Sequence, residues 1–174
     1  MTKTLIIVSS FCIYLLIACS QSPKASTAGE ATEKPVSKAG VAFSGPDVDL
    51  LKNAYQAYEK ADWATLRSLY SDSAATITNA MATDEKVPST PIDSVIAGHK
   101  LARETIYEGM SINNPIYEVV TTEDGSRFGH VWSKLTTKLR KTGEPINVTV
   151  FGSYGIKDGK LTFEWVIYNV PKIK

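Results

Sequence analysis

The chain has 174 residues, and its 19 Lys and Arg side chains nearly balance its 18 Asp and Glu side chains, giving a formal net charge of +1 at pH 7. This balance argues against a nucleic-acid partner and against a polybasic membrane-binding surface. The only cysteines are Cys12 and Cys19. The chain beyond Cys19 therefore has neither a disulfide framework nor a thiolate metal site.

The N-terminus has the layout of a secretory signal. Lys3 precedes an uncharged, largely apolar run from Leu5 to Ala18, and Ala18 is a small residue at the expected cleavage site. The run is shorter than the roughly 20 apolar residues that a transmembrane helix needs. We therefore predict a signal peptide at residues 1–18, whose removal leaves Cys19 at the new N-terminus.

The four residues Leu16-Ile17-Ala18-Cys19 resemble the lipobox of bacterial lipoproteins, in which the cysteine is acylated. The resemblance implies that acyl chains on Cys19 hold the protein on a membrane of the bacterial cell envelope, since each buried CH₂ stabilises binding by about 0.8 kcal/mol. Ser20, rather than an aspartate, follows the cysteine. By the sorting rule of enteric bacterial lipoproteins, that implies the outer membrane, with the domain facing the periplasm.

Residues 19–45 are predicted to be the lipidated cysteine and a disordered tether. The stretch is rich in Ser, Ala, Lys, Glu, Thr, Pro and Gly, a composition that cannot bury enough apolar surface to fold. Val41 and Phe43 leave open the alternative that the end of the tether docks on the domain. The folded domain is predicted at residues 46–174, the size of one ordinary domain.

Helical periodicity dominates the first part of this domain. A first helix is predicted behind the N-cap Asp47, and a second, shorter one behind the N-cap Asp62. The apolar face of the first helix consists of Val48, Leu51, Tyr55 and Tyr58. A third helix is predicted to begin at Asp93 or Ser94, with an inward stripe of Val95, His99, Ala102 and Ile106.

The apolar period then changes to two, which predicts strands. Tight turns join the predicted strands, and the Asp158-Gly159 turn is typical of a hairpin. The strands are therefore expected to be antiparallel neighbours. They are predicted at residues 116–121, 127–140, 146–156 and 161–170, with a short strand at 74–78 and a long loop at 79–91.

This order of elements resembles the nuclear transport factor 2-like superfamily, which includes SnoaL-like polyketide cyclases and ketosteroid isomerases. The residues that carry the resemblance are Ala61 to Leu66, Ile96-Ala97-Gly98-His99, Gly152 to Leu161 and Tyr168-Asn169. The resemblance implies a cone-shaped α+β fold, with three N-terminal helices packed on a curved, mainly antiparallel sheet. It also implies a pocket between the helices and the sheet.

Strand alternation predicts which side chains line this pocket. Glu164 is expected to point outward, so the inner face of the sheet is expected to lack a carboxylate. The predicted ligand-binding residues are Tyr55 on the first helix and Ser133, Tyr154, Trp165 and Asn169 on or beside the sheet.

The two histidines are predicted to have different surroundings. His99 is the one conventional acid/base group on an inward stripe, although a lone histidine there is more often structural than catalytic. No carboxylate adjoins either histidine in the sequence, so neither a metal nor a cofactor is predicted. His130 and Trp132 are expected on the outer face of the sheet, through which many relatives form homodimers.

Two functions remain open on this evidence. The first is a non-catalytic domain that binds a small apolar ligand or a partner protein in the envelope. The second is an isomerase, dehydratase or cyclase that acts on a small hydrophobic substrate. An inward carboxylate within reach of Tyr55 favours the second, because such enzymes need a base inside the pocket.

Replacing Cys19 with Ala tests the predicted anchor. The substitution removes the only thiol at the predicted cleavage site, so processing there and incorporation of a labelled fatty acid should both stop. Mass spectrometry of the mature N-terminus and radiolabelled palmitate measure the two effects. Unchanged lipid labelling of the variant contradicts the prediction, as does a wild-type N-terminus elsewhere.

Overall fold

The computed structural model describes residues 39–78 and 89–169. Its elements in chain order are β1 (Gly40–Ala42), α1 (Pro46–Lys60), α2 (Trp63–Ser68), β2 (Tyr70–Thr78), β3 (Thr90–Pro91), α3 (Ile92–Thr105), β4 (Tyr107–Thr121), β5 (Arg127–Leu139), β6 (Pro145–Lys157) and β7 (Lys160–Tyr168). The predicted signal peptide, Cys19 and most of the predicted tether lie outside the described residues. No helix within them is both long enough and apolar enough to cross a membrane.

The described strands form one sheet in the order β1-β4-β5-β6-β7-β2-β3. All neighbours are antiparallel except β2 and β7, which are parallel. Asp158 and Gly159 both have positive φ angles, 52° and 70°, in the turn between β6 and β7, as the hairpin prediction requires. The α+β class and the mainly antiparallel sheet therefore agree with the prediction.

Strand β1 lies within the stretch that the composition predicts to be disordered. Gly40 pairs with Thr121 and Ala42 with Val119 on β4. The side chain of Val41 is 55% exposed, so this segment docks through its backbone. Composition does not reveal such an edge strand, because every residue carries the backbone groups that form its hydrogen bonds.

Helix α1 packs its predicted apolar face against the sheet. Val48, Leu51 and Tyr55 are all buried. The helix begins two residues earlier than expected, so Asp47 lies in its first turn and Gly45 is the N-cap. The Asp47 carboxylate instead accepts a hydrogen bond from Arg127 on β5, with an Nη1–Oδ2 distance of 2.7 Å.

Helices α2 and α3 follow the predicted signals closely. Asp62 caps α2 as predicted, since its Oδ1 accepts a hydrogen bond from the Thr65 backbone N–H at 3.1 Å. Helix α3 begins at Ile92, just before the predicted start. Arg67 on α2 donates to Asp93 on α3 with an Nε–Oδ1 distance of 2.5 Å. The Asp93 side chain is exposed, so this ion pair contributes little to stability.

Strand β4 is much longer than its predicted residues 116–121. Gly109 and Asn114 have positive φ angles, 60° and 49°, and the pairing with β5 shifts register near both. Asn114 and Pro115 form a bulge inside the strand, since two residues of β4 lie opposite one residue of β5 there. Bulges bend a strand and increase its twist, which curves this sheet around the helices.

Strand β7 also contains a bulge, and it determines which residues face the helices. Ile156 on β6 pairs with Leu161, and the preceding Gly155 pairs with Phe163. Thr162 is therefore an extra residue with no partner on β6. A Cβ atom at Gly155 would lie 2.8 Å from Thr162 Oγ1, so the glycine makes room for the bulge.

The extra residue reverses the faces of the rest of β7. Glu164 pairs with the buried Tyr154, and Trp165 pairs with Ser153. Glu164 therefore lies on the inner face of the sheet, and Trp165 lies on the outer face. The expectation of an outward Glu164 and an inward Trp165 is wrong for both residues, because simple alternation assumes that no residue is inserted.

The close approach of α1 to the sheet predicts that Gly129→Ala is destabilising. A Cβ atom at Gly129 would lie 2.6 Å from Leu51 Cδ1 and 2.8 Å from Cδ2, so the fully buried Leu51 side chain would have to shift within the core. Overpacking of this kind costs about 1–3 kcal/mol. Urea denaturation measures the loss.

Gly98→Ala on α3 is the matched control, since nothing lies within 4 Å of its added Cβ. Replacing a helical glycine should leave stability unchanged or raise it by up to about 1 kcal/mol. A Gly129→Ala protein as stable as the wild type contradicts the close packing of α1.

Candidate functional site

A cavity of 460 Å³ lies between the inner face of the sheet and the helices α1 and α3. This volume is in the range of about 300–1,000 Å³ that is typical of small-ligand sites. Most of its surface is apolar, and the aliphatic residues and the methionine on the sheet side are Met110, Leu135, Ile146, Val148, Val150 and Val166. The lining includes two sets of hydrogen-bonded polar side chains, a carboxylate cluster on the sheet and a tyrosine–histidine pair on the helices.

The carboxylate cluster is centred on Glu164, which lines the cavity. Its Oε2 accepts hydrogen bonds from Tyr70 Oη at 3.0 Å and from Thr76 Oγ1 at 3.2 Å, both on β2. The nearby Tyr154 on β6 also lowers the pKa of this carboxyl group. Side chains from β2 and β6 thus surround one acidic side chain of β7 inside the domain.

Tyr154 extends the cluster to helix α1, because its hydroxyl lies 3.0 Å from the hydroxyl of Tyr55. The Tyr154 ring lies over Gly152, where an added Cβ would be only 2.6 Å from the hydroxyl oxygen. The ring therefore occupies the space that a side chain at position 152 would fill. Tyr55 and Tyr154 are both buried, as predicted for inward residues.

Burial raises the pKa of the Glu164 carboxyl above its ordinary value of 4.5, although the hydrogen bonds from Tyr70 and Thr76 and the nearby Tyr154 hydroxyl oppose the shift. Burial also raises the pKa of Tyr55, and the Tyr55–Tyr154 hydrogen bond opposes that rise. The negative charge of Glu164 raises it further. An ionised carboxylate can only accept hydrogen bonds, so Tyr70 and Thr76 donate to it.

The second polar group of the cavity is the pair formed by Tyr58 on α1 and His99 on α3. The Tyr58 hydroxyl lies 3.3 Å from His99 Nδ1, and the two rings are 5.0 Å apart at an angle of 81°. Burial lowers the pKa of His99 and raises the pKa of Tyr58 to about 12. Both groups are therefore neutral at neutral pH.

A neutral Tyr58–His99 pair holds two protons that can form hydrogen bonds. Their mutual hydrogen bond uses one of them, in either tautomer of the imidazole. The other proton is then on His99 Nε2 or on the Tyr58 hydroxyl, and both residues line the cavity. The pair can thus donate one hydrogen bond to a bound oxygen atom.

The other predicted ligand-binding residues occupy different places. Ser133 lines the cavity, as predicted from alternation along β5. Asn169 lies beyond β7 in an exposed position, where its Oδ1 accepts a hydrogen bond from the Thr149 backbone N–H. Trp165 lies on the outer face. The structure thus brings together Tyr55, Ser133 and Tyr154 around one cavity, and it does not bring Trp165 and Asn169 there.

The outer face of the sheet carries an aromatic cluster of His130, Trp132 and Phe151. The Trp132 and Phe151 rings are 5.0 Å apart, and Trp132 is 41% exposed. His130 Nδ1 lies 3.1 Å from Glu118 Oε1. The outward direction of His130 and Trp132 agrees with the sequence analysis, and a homodimer through this face stays a prediction.

The residue that sequence reasoning missed is Glu164. The signal that could have found it is Gly155, since a glycine inside a strand often marks a bulge. A bulge opposite Gly155 reverses the faces of β7 and brings the glutamate inside. In residues 39–78 and 89–169, no three His, Cys, Asp or Glu side chains come close enough together to hold a metal ion.

Solved structures of similar fold cover most of this domain. A candidate polyketide cyclase from Pseudomonas putida has a TM-score of 0.56 at 13% identity, covering 73% of this chain and 94% of that chain. A candidate isomerase from Bacillus subtilis has a TM-score of 0.53 at 14% identity, covering 71% of this chain and 86% of that chain.

A nuclear transport factor 2-like protein from Burkholderia xenovorans has a TM-score of 0.52 at 14% identity, covering 74% of this chain and 93% of that chain. No known protein-family profile matches the sequence. No curated protein matches it significantly. At such low identities the structural likeness concerns the fold alone, so the described domain has the α+β fold of nuclear transport factor 2-like proteins.

Proposed function

We propose that this domain is an enzyme that moves a proton at a carbon atom next to a carbonyl group, as an isomerase, dehydratase or cyclase does. The observation that carries the proposal is the Glu164 carboxyl group inside an apolar cavity. Its pKa is raised by burial, and a base is most effective when its pKa is close to the working pH. Binding an apolar ligand does not require a buried carboxylate, and burying one is unfavourable.

In the proposed reaction, the ionised Glu164 removes a proton from the substrate carbon. The electron pair of the broken C–H bond forms a C=C bond, and the carbonyl π electrons move to oxygen, which gives an enolate. Glu164 then holds the proton as a carboxylic acid. Return of this proton to a different carbon of the substrate completes an isomerisation. Attack of the enolate carbon on a second carbonyl of the same molecule closes a ring instead, and the new alkoxide takes the proton.

The enolate oxygen needs a hydrogen-bond donor, since charge develops there during proton transfer. The neutral Tyr58–His99 pair has one proton to donate from the helix side of the cavity. Glu164 lies on the sheet side. A flat substrate between the two would have its acidic C–H bond toward Glu164 and its carbonyl oxygen toward the pair.

The names of the structural neighbours favour an enzyme over the non-catalytic domain expected first from the sequence. Two of the neighbours described above are named as a candidate polyketide cyclase and a candidate isomerase. The lipid anchor on Cys19 and the location in the envelope are separate parts of the proposal. They rest on the N-terminal sequence, which lies outside the described residues.

Glu164→Gln tests the role of the base. The probe is β-tetralone, an apolar bicyclic ketone whose benzylic C–H is acidic, and ¹H NMR in D₂O measures its exchange. General-base catalysis contributes about 10²–10⁴-fold, so the variant should lose at least about 100-fold in enzyme-dependent exchange. The matched control is Glu118→Gln on the outer face, which should exchange at the wild-type rate.

The pH dependence of the same reaction gives a further check. Only the ionised carboxylate can accept the proton, so the wild-type rate should rise with pH through the pKa of Glu164, above its ordinary value of 4.5, and then level off. Equal exchange by the wild type and Glu164→Gln contradicts the catalytic proposal and supports a domain that only binds ligands.

A further inference from the structure

The two oxygens of the Glu164 carboxyl group have different surroundings. Oε2 accepts the hydrogen bonds from Tyr70 at 3.0 Å and from Thr76 at 3.2 Å. Oε1 accepts no hydrogen bond from the described residues. Among these residues, the enclosed side-chain oxygens without a partner are those of Ser71 and Ser133. Since Glu164 lines the cavity, one of its oxygens is held by the protein and the other is open to the cavity.

Both donors come from strand β2, which is the parallel neighbour of β7. Thr76 lies directly opposite Glu164, and Tyr70 lies opposite Leu161. The pairing is irregular between Tyr70 and Ala75, and both hydroxyls nevertheless reach the same oxygen. Tyr70 and Thr76 are buried, where bulk water competes little for the carboxylate.

Two donors on one oxygen restrict the rotation of the carboxyl group about its Cγ–Cδ bond. This torsion has a broad distribution when nothing restrains it, so a free carboxylate would turn its open oxygen away from a substrate for part of the time. A general base must lie within hydrogen-bond reach of the proton that it removes. Holding Oε2 in place therefore keeps Oε1 directed into the cavity.

We infer that Tyr70 and Thr76 position the base of the proposed reaction by holding Oε2 of Glu164 against β2, so that Oε1 takes the proton from the substrate carbon. This inference rests on the proposed function and adds two positioning residues to it. The new O–H bond forms at Oε1, and the electron pair of the broken C–H bond stays with the substrate as the enolate. Both hydroxyls act through the carboxyl group.

The other titratable groups around Glu164 belong to β6, α1 and α3. Tyr154 on β6 lowers the pKa of the carboxyl group, and the charge of the carboxylate raises the pKa of Tyr55 and Tyr58 on α1. His99 on α3 lines the helix side of the same cavity. All four groups remain when a donor on β2 is removed, so a change in the titration of Glu164 reports the lost hydroxyl.

The first measurement follows Glu164 by ¹³C NMR in protein labelled at the glutamate side-chain carboxyl carbon, without a substrate probe. Tyr70→Phe and Thr76→Val each keep the shape of the side chain and remove one donor. Hydrogen bonds to a carboxylate favour its ionised form, so the titration midpoint should move to higher pH in both variants. An unfolded variant would instead titrate near the ordinary value of 4.5. The matched control is Tyr117→Phe, which should keep the wild-type midpoint, because Tyr117 packs on Tyr55 and does not donate to Glu164.

The second measurement is the enzyme-dependent exchange of β-tetralone in D₂O at a pH above all the midpoints, where Glu164 is ionised in every variant. A stronger base that stays in position should exchange the probe at least as fast as the wild type. A misplaced base should be slower, by about 10- to 100-fold. We expect this loss in Tyr70→Phe and in Thr76→Val, and the wild-type rate in Tyr117→Phe.

The two measurements separate this inference from the proposed function. An unchanged midpoint in Tyr70→Phe or Thr76→Val overturns the inference for that residue, as does an exchange rate at or above that of the wild type. A wild type that does not exchange the probe overturns the proposed function instead. Raised midpoints in the two variants would then confirm the hydrogen bonds on Oε2 alone.

Discussion

The hydrogen bonds around the Glu164 carboxyl are the interactions on which the cavity depends. A charge inside a protein is costly unless other groups replace the water that solvated it. Tyr70 and Thr76 do so from β2, and the nearby Tyr154 on β6 also lowers the carboxyl pKa. They oppose the rise in the carboxyl pKa without abolishing it, which leaves a group suited to accept a proton and to release it again.

Three glycines allow the side chains around this carboxyl to take their places. Gly155 accommodates the bulge that brings Glu164 inside, and Gly152 leaves space for the ring of Tyr154. Gly129 lets α1 approach the sheet, which brings Tyr55 within 3.0 Å of the Tyr154 hydroxyl. The absence of a Cβ atom at these three positions thus leaves the space in which the proposed base and its neighbours are packed. An added methyl group at any of these positions would displace a different part of the site.

Local signals in the sequence predicted much of the fold. The inward face with Leu51 and Tyr55, the cap at Asp62 and the turn at Asp158-Gly159 all depend on residues close together in the chain, and all agree with the structure. The register of β7 depends on how it pairs with β6, and the periodicity of one strand carries no information about that pairing. One inserted residue, Thr162, was therefore enough to reverse the predicted faces of the strand.

The same limitation explains the outcome for the candidate site. Tyr55, Ser133 and Tyr154 were found because helical and strand periodicity hold without interruption up to each of them. Glu164 follows a bulge, so the same rule placed it outside. The error also affected the functional interpretation, because the choice between a binding domain and an enzyme depended on whether the inner face of the sheet contains a carboxylate.

Direct titration of Glu164 tests the central claim that a carboxyl group with a raised pKa lies in the cavity. ¹³C NMR of protein labelled at the glutamate side-chain carboxyl carbon follows each glutamate as the pH changes. One resonance should titrate above the ordinary value of 4.5, and it should be missing from Glu164→Gln. If the resonance assigned to Glu164 titrates at or below that value, the account of a buried base is wrong.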